Sequence, residues 1–442
     1  MNNDNNAHST TAGLVRRRVA RAVAVIALTM GGVYLCVSAW LWANSAVPQR
    51  SLEQWIDDPS EALEKGAYLA RAGNCVSCHT VEGGMEFSGG VPFYTDFGVL
   101  YSTNITPDSS HGIGQWSFED FYASMKNGVR PNGEHLYPAF PYTDFALVSE
   151  QDLAYLFVYL KNLEPSNSAP PKNELTFPFS LRPTLAFWKL LFHDPEPQLD
   201  ADLTELVARG EYLVEGLGHC GACHTPRNVL GAEQPELALT GGMQVHATRL
   251  QNLRLWSAVN LTPHEAGLGS WTEQDLTQYL HTGKSDKAVV HGPMTEVIIN
   301  SLSRLTERDT NAMASYLKTL EAKAQPIQAS VNAQEDLFAE GEVVYTVHCG
   351  SCHLPDAAGA EGLGVPLKHN PIVQAPGPES LINTILYGPH LPARPFSVDR
   401  SNMSMFGKRL SNQDIASLAT YLRNSFGNAA GAVTASQVQA QR

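Results

Sequence analysis

The sequence has 442 residues, 43% of them hydrophobic and 17% charged, with a formal net charge of −14. This length predicts about three domains, each large enough to have its own core. The acidic balance argues against nucleic-acid binding, which depends on basic patches.

The N-terminal region predicts a membrane anchor. Four arginines between residues 16 and 21 precede an uncharged run that begins at Ala22 and ends at Ala43. About 20 such residues cross a bilayer as a helix, and arginines before the helix place residues 1–21 in the cytoplasm. We therefore expect a single-pass anchor at 22–45, with the rest of the chain on the outer side of the membrane. The alternative is a cleaved signal peptide, which the length of the run disfavours.

Three related units follow, which indicates tandem domains. They contain GAYLARAGNCVSCHT, GEYLVEGLGHCGACHT and GEVVYTVHCGSCHL, and the first two also share NITP or NLTP followed by GIGQWSFEDF or GLGSWTEQDL. We predict domains at 60–163, 203–321 and 335–427. A proline-rich apolar linker at 164–202 separates the first two, and a flexible tail is expected at 428–442.

Each unit closes with a similar helical pattern: SEQDLAYLFVYLKNL, TERDTNAMASYLKTL and SNQDIASLATYLRNSF. A Ser or Thr with an acid three residues later satisfies the free amides at a helix start. Apolar residues then recur at three- and four-residue spacing, as one buried helical face requires. Alternating strand patterns are scarce, so an all-α fold is predicted.

Six of the seven cysteines form three Cys-x-x-Cys-His motifs, and the seventh, Cys36, lies alone in the N-terminal run. Two thiols at this spacing can bond the two vinyl groups of one porphyrin, and the following histidine then reaches the iron, so the motif indicates covalent haem c. Three pairs cannot form two closed four-cysteine zinc sites, and a redox-active dithiol needs a βαβ context that is not found. We therefore predict three haems, held by Cys75, Cys78, His79, Cys220, Cys223, His224, Cys349, Cys352 and His353.

A sixth iron ligand is expected from the segment before each closing helix, where methionine would raise the reduction potential. Met294 holds this position in the second unit. In the third unit Met403 is the preferred candidate, with Met405 as a substitute.

The first unit differs, because Phe140 stands where methionine is expected and cannot ligate iron. His135 is one candidate for the sixth ligand, and it would lower the potential relative to methionine. Met125 and Met85 are weaker candidates. An open position on the iron is a further alternative.

These residues resemble one family, the three-haem cytochrome c subunits of membrane-bound bacterial dehydrogenases. The resemblance runs from about residue 60 to 428 and rests on GAYLARAGNCVSCHT, STNITPD, GIGQWSFEDF, LYPAFPY, GHCGACHTPRN, GPMTEV and ATYLRNSFGN. It implies three tandem cytochrome c-type domains. By position, it also implies proximal ligation by His79, His224 and His353 and distal ligation by Met294 and Met403.

The resemblance further implies electron transfer from a catalytic dehydrogenase subunit, through the haems, to ubiquinone or a downstream cytochrome. It also implies contact of the complex with membrane lipid. The catalytic subunit would hold pyrroloquinoline quinone, flavin, or molybdopterin with iron–sulfur clusters. Phe140 in LYPAFPY resembles the variant that accompanies molybdenum-containing aldehyde or N-heterocycle oxidoreductases. No nucleophile–base constellation indicates catalysis by this chain itself. A subunit feeding a terminal oxidase and a multihaem peroxidase remain as alternatives.

Overall fold

The computed structural model describes residues 52–200, 204–247, 253–325, 335–389 and 403–442, together with scattered positions between 20 and 39. Its helices and strands fall into three modules, which correspond to the three repeated units. In each module a helix that precedes the Cys-x-x-Cys-His motif crosses the closing helix.

The first module and its linker combine helices with a small sheet. The helices are α1 (Pro59–Ala72), α2 (Cys75–His79), α3 (Phe118–Asn127), α4 (Tyr142–Phe145), α5 (Glu150–Lys161) and, in the linker, α6 (Thr184–Phe192). The strands β1 (Pro92–Thr95), β2 (Gly98–Tyr101) and β3 (Glu174–Leu175) form an antiparallel sheet in that order. The linker thus adds one strand and one helix to the first module.

The second module repeats this arrangement with a two-stranded sheet. Its helices are α7 (Glu205–Glu211), which continues as a π-helix at Tyr212–Leu217, α8 (Gly221–His224), α9 (Glu273–Thr282), α10 (Met294–Asn300) and α11 (Glu307–Thr319). The strands β4 (Gly242–Ala247) and β5 (Leu253–Ala258) pair antiparallel, with Gly242 opposite Ala258. Short 3₁₀ helices occur at Leu52–Gln54, Pro235–Leu237 and Leu302–Arg304.

The third module is built from helices and has no strand among the residues that the structure describes there. Its helices are α12 (Glu335–His348), α13 (Gly350–His353), α14 (Pro371–Gln374), α15 (Glu379–Tyr387), α16 (Asn412–Arg423) and α17 (Ala435–Gln441). They enclose a core of their own, whereas the first and second modules share one continuous core.

A glycine lies at the crossing of the first and closing helices in every module. A Cβ atom on Gly66 would collide with the backbone oxygen of Tyr155, one on Gly210 with that of Ala312, and one on Gly341 with that of Ser417. The missing side chain therefore lets the two helices approach closely. The repeated glycine in the sequence is explained by this contact.

The closing helices begin where the sequence predicts. Ser149, Thr306 and Ser411 each accept a hydrogen bond from the backbone N–H three residues later. These caps satisfy amides that the first helical turn leaves without partners.

The prediction of an all-α fold is wrong, because the first two modules contain the β-strands given above. Both hairpins lie between a Cys-x-x-Cys-His motif and the following Asn-x-Thr-Pro. The alternation of Leu253, Arg254 and Leu255 is the strand signal that the sequence offered. It is short, and pairing with β4 decides the conformation.

The predicted transmembrane helix at 22–45 is corrected as well. Among the described residues no helix combines the length and apolar character needed to cross a bilayer. Most of 22–45 lies outside the described residues.

The C-terminal segment differs from the flexible tail expected at 428–442. Thr434 caps α17 through a capping box with Gln437, and Val438 is fully buried in the third core. Burial of Val433 and Val438 in the third core, together with bonds such as the one from the Val433 N–H to Thr420 Oγ1 (2.9 Å), thus orders a segment whose composition is mostly polar and small.

The second and third modules meet through polar contacts. Ser257 on β5 donates its backbone N–H to Ser380 Oγ (3.0 Å), which in turn donates to the Ser257 carbonyl (2.8 Å). Asn383 Nδ2 also donates to the Leu255 carbonyl (2.8 Å). The hairpin absent from the prediction therefore forms the surface on which the third module docks.

Candidate haem sites

Each Cys-x-x-Cys-His motif forms a short helix after the first helix of its module. All six motif cysteines are free of disulfides. Burial raises the pKa of Cys75, Cys78 and Cys349 to about 12. A reactive dithiol has a lowered thiol pKa, whereas burial shifts the pKa of these three thiols in the opposite direction.

Each motif histidine makes the same kind of hydrogen bond, from its ring Nδ1 to a backbone carbonyl. His79 Nδ1 lies 2.6 Å from the Thr103 carbonyl, and His224 Nδ1 lies 2.8 Å from that of Val259. His353 Nδ1 lies 2.8 Å from the carbonyl of Val365. A carbonyl only accepts, so each Nδ1 carries the proton and each Nε2 keeps its lone pair. This bond fixes the tautomer and ring orientation that a metal-ligating histidine needs.

Burial also lowers the pKa of all three histidines, although the carbonyl bonds raise it in part. The neutral imidazole is therefore favoured at neutral pH. A neutral imidazole is the form that binds a metal.

The carbonyl partners are functional groups that the sequence reasoning missed. Thr103 and Val259 directly precede Asn104 and Asn260 of the repeated Asn-x-Thr-Pro segments. Asn104 Nδ2 donates to the Ser166 carbonyl (2.7 Å), and Asn260 Nδ2 donates to that of Lys323 (2.8 Å). These bonds fasten the segment to the chain beyond the closing helix. The repetition of this motif was the signal available in the sequence.

The two predicted methionine ligands lie against the cores of their modules. Met294 is the first residue of α10 and packs against the core shared by the first two modules. Met403 packs against the third core, whereas Met405 is 61% exposed. The structure thus favours Met403 over Met405 as the inward-facing thioether.

The distal segment of the first module has a different environment. Phe140 packs on Phe145, with ring centroids 5.4 Å apart. His135 Nδ1 lies 3.1 Å from Lys189 Nζ of the linker helix α6. Met125 is a core residue and Met85 is exposed. The structure does not bring these candidate ligands together.

The first and second sites are directly connected. Asn300 Nδ2, at the end of the helix that begins with Met294, donates to Ser77 Oγ between the first pair of cysteines (2.8 Å). Ser77 donates to Asn74 Oδ1 (2.7 Å). Elements of the second site therefore brace the attachment helix of the first.

This donor set fits haem c. It provides paired free thiols and neutral imidazoles with an available Nε2 in all three modules, and an inward thioether in two. Among the described residues, no cluster of three His, Cys, Asp or Glu side chains offers a competing metal site. The arrangement defines a c-type cytochrome.

Comparison with known proteins agrees with this class. Residues 336–422 match the family model described as cytochrome c oxidase, cbb3-type, subunit III. The chain is 39% identical over 407 residues to the gluconate 2-dehydrogenase cytochrome c subunit of Pantoea cypripedii, covering 87% of this chain and 91% of that protein. It is 34% identical to the fructose dehydrogenase cytochrome subunit of Gluconobacter japonicus, covering 86% and 82%. It is 39% identical to a subunit of the nicotinate dehydrogenase of Pseudomonas putida, covering 82% of this chain and 30% of that protein.

The chain belongs to the family of dehydrogenase cytochrome c subunits. Its function is electron transfer from a catalytic dehydrogenase partner, by means of covalently bound haem c. The expected family and the expected electron transfer from a dehydrogenase are confirmed.

Proposed function

We propose that the chain carries three haems c, one in each module at 60–163, 203–321 and 335–427. The thiols of Cys75, Cys78, Cys220, Cys223, Cys349 and Cys352 attach them, and His79, His224, His353, Met294 and Met403 are the iron ligands. The observation that carries this proposal is the hydrogen bond from each motif histidine to a backbone carbonyl. The same bond in three modules supports the same ligand role for each histidine.

Bound haem iron supplies reversible one-electron chemistry. The protein's own cysteines would form the thioether bonds, while backbone carbonyls orient the motif imidazoles and apolar side chains surround the sites. Met294 and Met403 would raise the potentials of their sites relative to a nitrogen ligand. The contact between Asn300 and Ser77 supports electron passage between the first two sites.

We place the modules on the periplasmic side of the inner membrane, where haem attachment takes place, with ubiquinone or a downstream cytochrome as the acceptor. An apolar surface on the linker supports an acceptor held by membrane lipid. Phe177 is 79% exposed and Leu191 is 67% exposed. Replacing Leu190 and Leu191 with glutamate should reduce electron delivery to a membrane quinone while delivery to a soluble dye stays unchanged.

The catalytic partner is proposed to contain molybdopterin with iron–sulfur clusters. Two observations support this choice over pyrroloquinoline quinone or flavin: the LYPAFPY sequence with Phe140, and the similarity to the nicotinate dehydrogenase of Pseudomonas putida. Metal analysis of the partner purified with this chain tests it. Molybdenum is the expected result, and a partner without molybdenum would contradict it.

Haem stoichiometry tests the central proposal. The intact mass of the denatured protein should exceed that of the polypeptide by three haems. Replacing both cysteines of one motif with alanine should remove one haem at a time. A wild-type protein with fewer than three haems would contradict the proposal for the module that lacks one.

Delivery of electrons to a terminal oxidase is a second candidate, which the family-model match over residues 336–422 favours. Purification from membranes separates the two functions. A dehydrogenase bound to the chain supports the first candidate, and a copper–haem oxidase without a dehydrogenase supports the second.

A further inference from the structure

The first module lacks the thioether that the other two modules place before their closing helices. Met294 is the first residue of α10, and Met403 packs against the third core. Phe140 holds the corresponding place in the first module and packs on the ring of Phe145 at 5.4 Å. An aromatic hydrocarbon has no lone pair to donate, so this position supplies no ligand.

The nearest nitrogen donor along the chain, His135, is held by another group. Lys189 Nζ lies 3.1 Å from His135 Nδ1, and it also donates to the Gly128 carbonyl (2.7 Å). Lys189 is almost fully buried, and Arg182 fixes the His135 backbone by donating to its carbonyl (2.8 Å). With Nδ1 accepting from the ammonium group, Nε2 carries the ring proton and is not a free donor for iron.

The remaining histidine and methionines of this module are also accounted for. Met125 is 7% exposed and belongs to the hydrophobic core. Met85 lies in the loop that returns to the motif histidine, since Gly89 donates its backbone N–H to the His79 carbonyl (2.7 Å). His111 Nδ1 bonds to Asn167 Oδ1 (3.1 Å). The structure describes residues 52–200 continuously, so this account covers every histidine and methionine of 60–163 except the motif histidine His79. Outside that range, His193 packs on Tyr142 and His219 packs on Phe145, with ring centroids 5.1 Å and 5.4 Å apart.

We propose that the iron site of the first module keeps its distal position open and binds a small neutral diatomic molecule there. This inference rests on the proposed haem at Cys75, Cys78 and His79. The apolar side chains of Phe140 and Phe145 suit a neutral ligand better than an anion, because burying a charge without a partner is costly. The second and third sites would stay closed to such ligands, because Met294 and Met403 would hold the corresponding position on each iron.

Carbon monoxide is the probe, added to the dithionite-reduced full-length protein and followed by its absorption spectrum. Wild-type protein should bind one carbon monoxide per chain. The Phe140→Met variant should bind none and should show the thioether-to-iron absorption of the oxidised protein at one additional haem. Absence of carbon monoxide binding by a wild-type protein with three haems would overturn the inference and leave the proposed function intact.

Two further variants make the assignment specific. Met294→Phe removes the thioether of the second module and places phenylalanine there, as Phe140 stands in the first module. This variant should therefore bind two carbon monoxide molecules per chain. His135→Ala should leave the wild-type value at one, because His135 is not a ligand. Binding that appears only after His135 is removed would overturn the inference. Loss of the first haem itself, seen by mass, would instead contradict the proposed function.

Discussion

Tyr68 Oη in the first module donates a hydrogen bond to Asp309 Oδ2 in the second, across 2.6 Å and 241 residues of sequence. The equivalent bond runs in the other direction, because Tyr212 Oη in the second module donates to Asp152 Oδ2 in the first (2.5 Å). Each hydroxyl also accepts the backbone N–H of the residue that caps the other module's closing helix. The first two modules are therefore joined as a pair at the starts of their closing helices.

Replacing Tyr68 with phenylalanine should lower the free energy of unfolding by about 1.5–3 kcal/mol, the usual contribution of a hydrogen bond to a charged group. Tyr212→Phe should have a similar effect. Chemical denaturation measures both. Tyr101→Phe is the matched control, because its hydroxyl bonds an exposed carboxylate, Glu174, within the first module and its linker. An equal loss of unfolding free energy in the control would show that the bonds between modules stabilise the fold no more than an exposed bond within one module.

The Asp309 carboxylate predicts a pH dependence of stability. Burial raises its pKa, but bonds from Arg209 and Tyr68 outweigh burial and hold the pKa below its ordinary value of 3.8. A carboxyl with a lowered folded-state pKa stabilises the fold above the unfolded-state pKa, and this contribution is lost as the pH falls through the folded-state pKa. Asp309→Asn should therefore be less stable at pH 7 by about 1–3 kcal/mol. The difference from wild type should shrink below about pH 4. Unfolding measured between pH 7 and pH 3 checks this, and a constant difference would contradict it.

The helix-crossing glycines predict a large effect of a single methyl group. Gly66→Ala should cost about 1–3 kcal/mol or more, because the new Cβ would collide with the backbone oxygen of Tyr155. Gly350→Ala is the control, since a Cβ there would meet its nearest neighbour at 3.6 Å, an ordinary contact. The first module has Val76 at the corresponding position. Denaturant unfolding of the two variants compares them directly, and similar costs would rule out close helix approach as the cause.

The proposed ligation of iron by Met294 predicts a selective change in reduction potential. Met294→Ala should lower one potential by on the order of a hundred millivolts, within the roughly 0.8 V range that axial ligands control. Met405→Ala should change none, because its side chain is largely exposed. A potentiometric titration followed in the haem absorption bands resolves the values. Unchanged potentials in the Met294 variant would remove that residue from the ligand set.

The sequence predicted the parts of the site that depend on short spacing. Cys75, Cys78 and His79 lie within five residues, so their joint chemistry follows from the local chain. The caps at Ser149 and Thr306 are equally local, because hydroxyl and amide are three residues apart. Met294 could be proposed because it has a fixed place in the repeated pattern.

The sequence did not predict contacts between distant segments. β4 and β5 become strands by pairing with each other, although their local alternation is weak. The carbonyl that orients His224 lies 35 residues away. His135 was a candidate ligand by type alone, and the burial of Lys189 beside it was visible only in the folded chain.

The sequence by itself determined which residue types stand at the candidate sites: the paired cysteines with a histidine, the methionines of the second and third units, and the phenylalanine of the first. Only the tertiary structure decided the pairing of the first two modules, the tautomers of the motif histidines and the contact that holds His135. The physical reason is that covalent spacing and helix caps depend on neighbouring residues. Hydrogen bonds such as Tyr68 to Asp309 arise only when folding brings remote groups within 3 Å of each other.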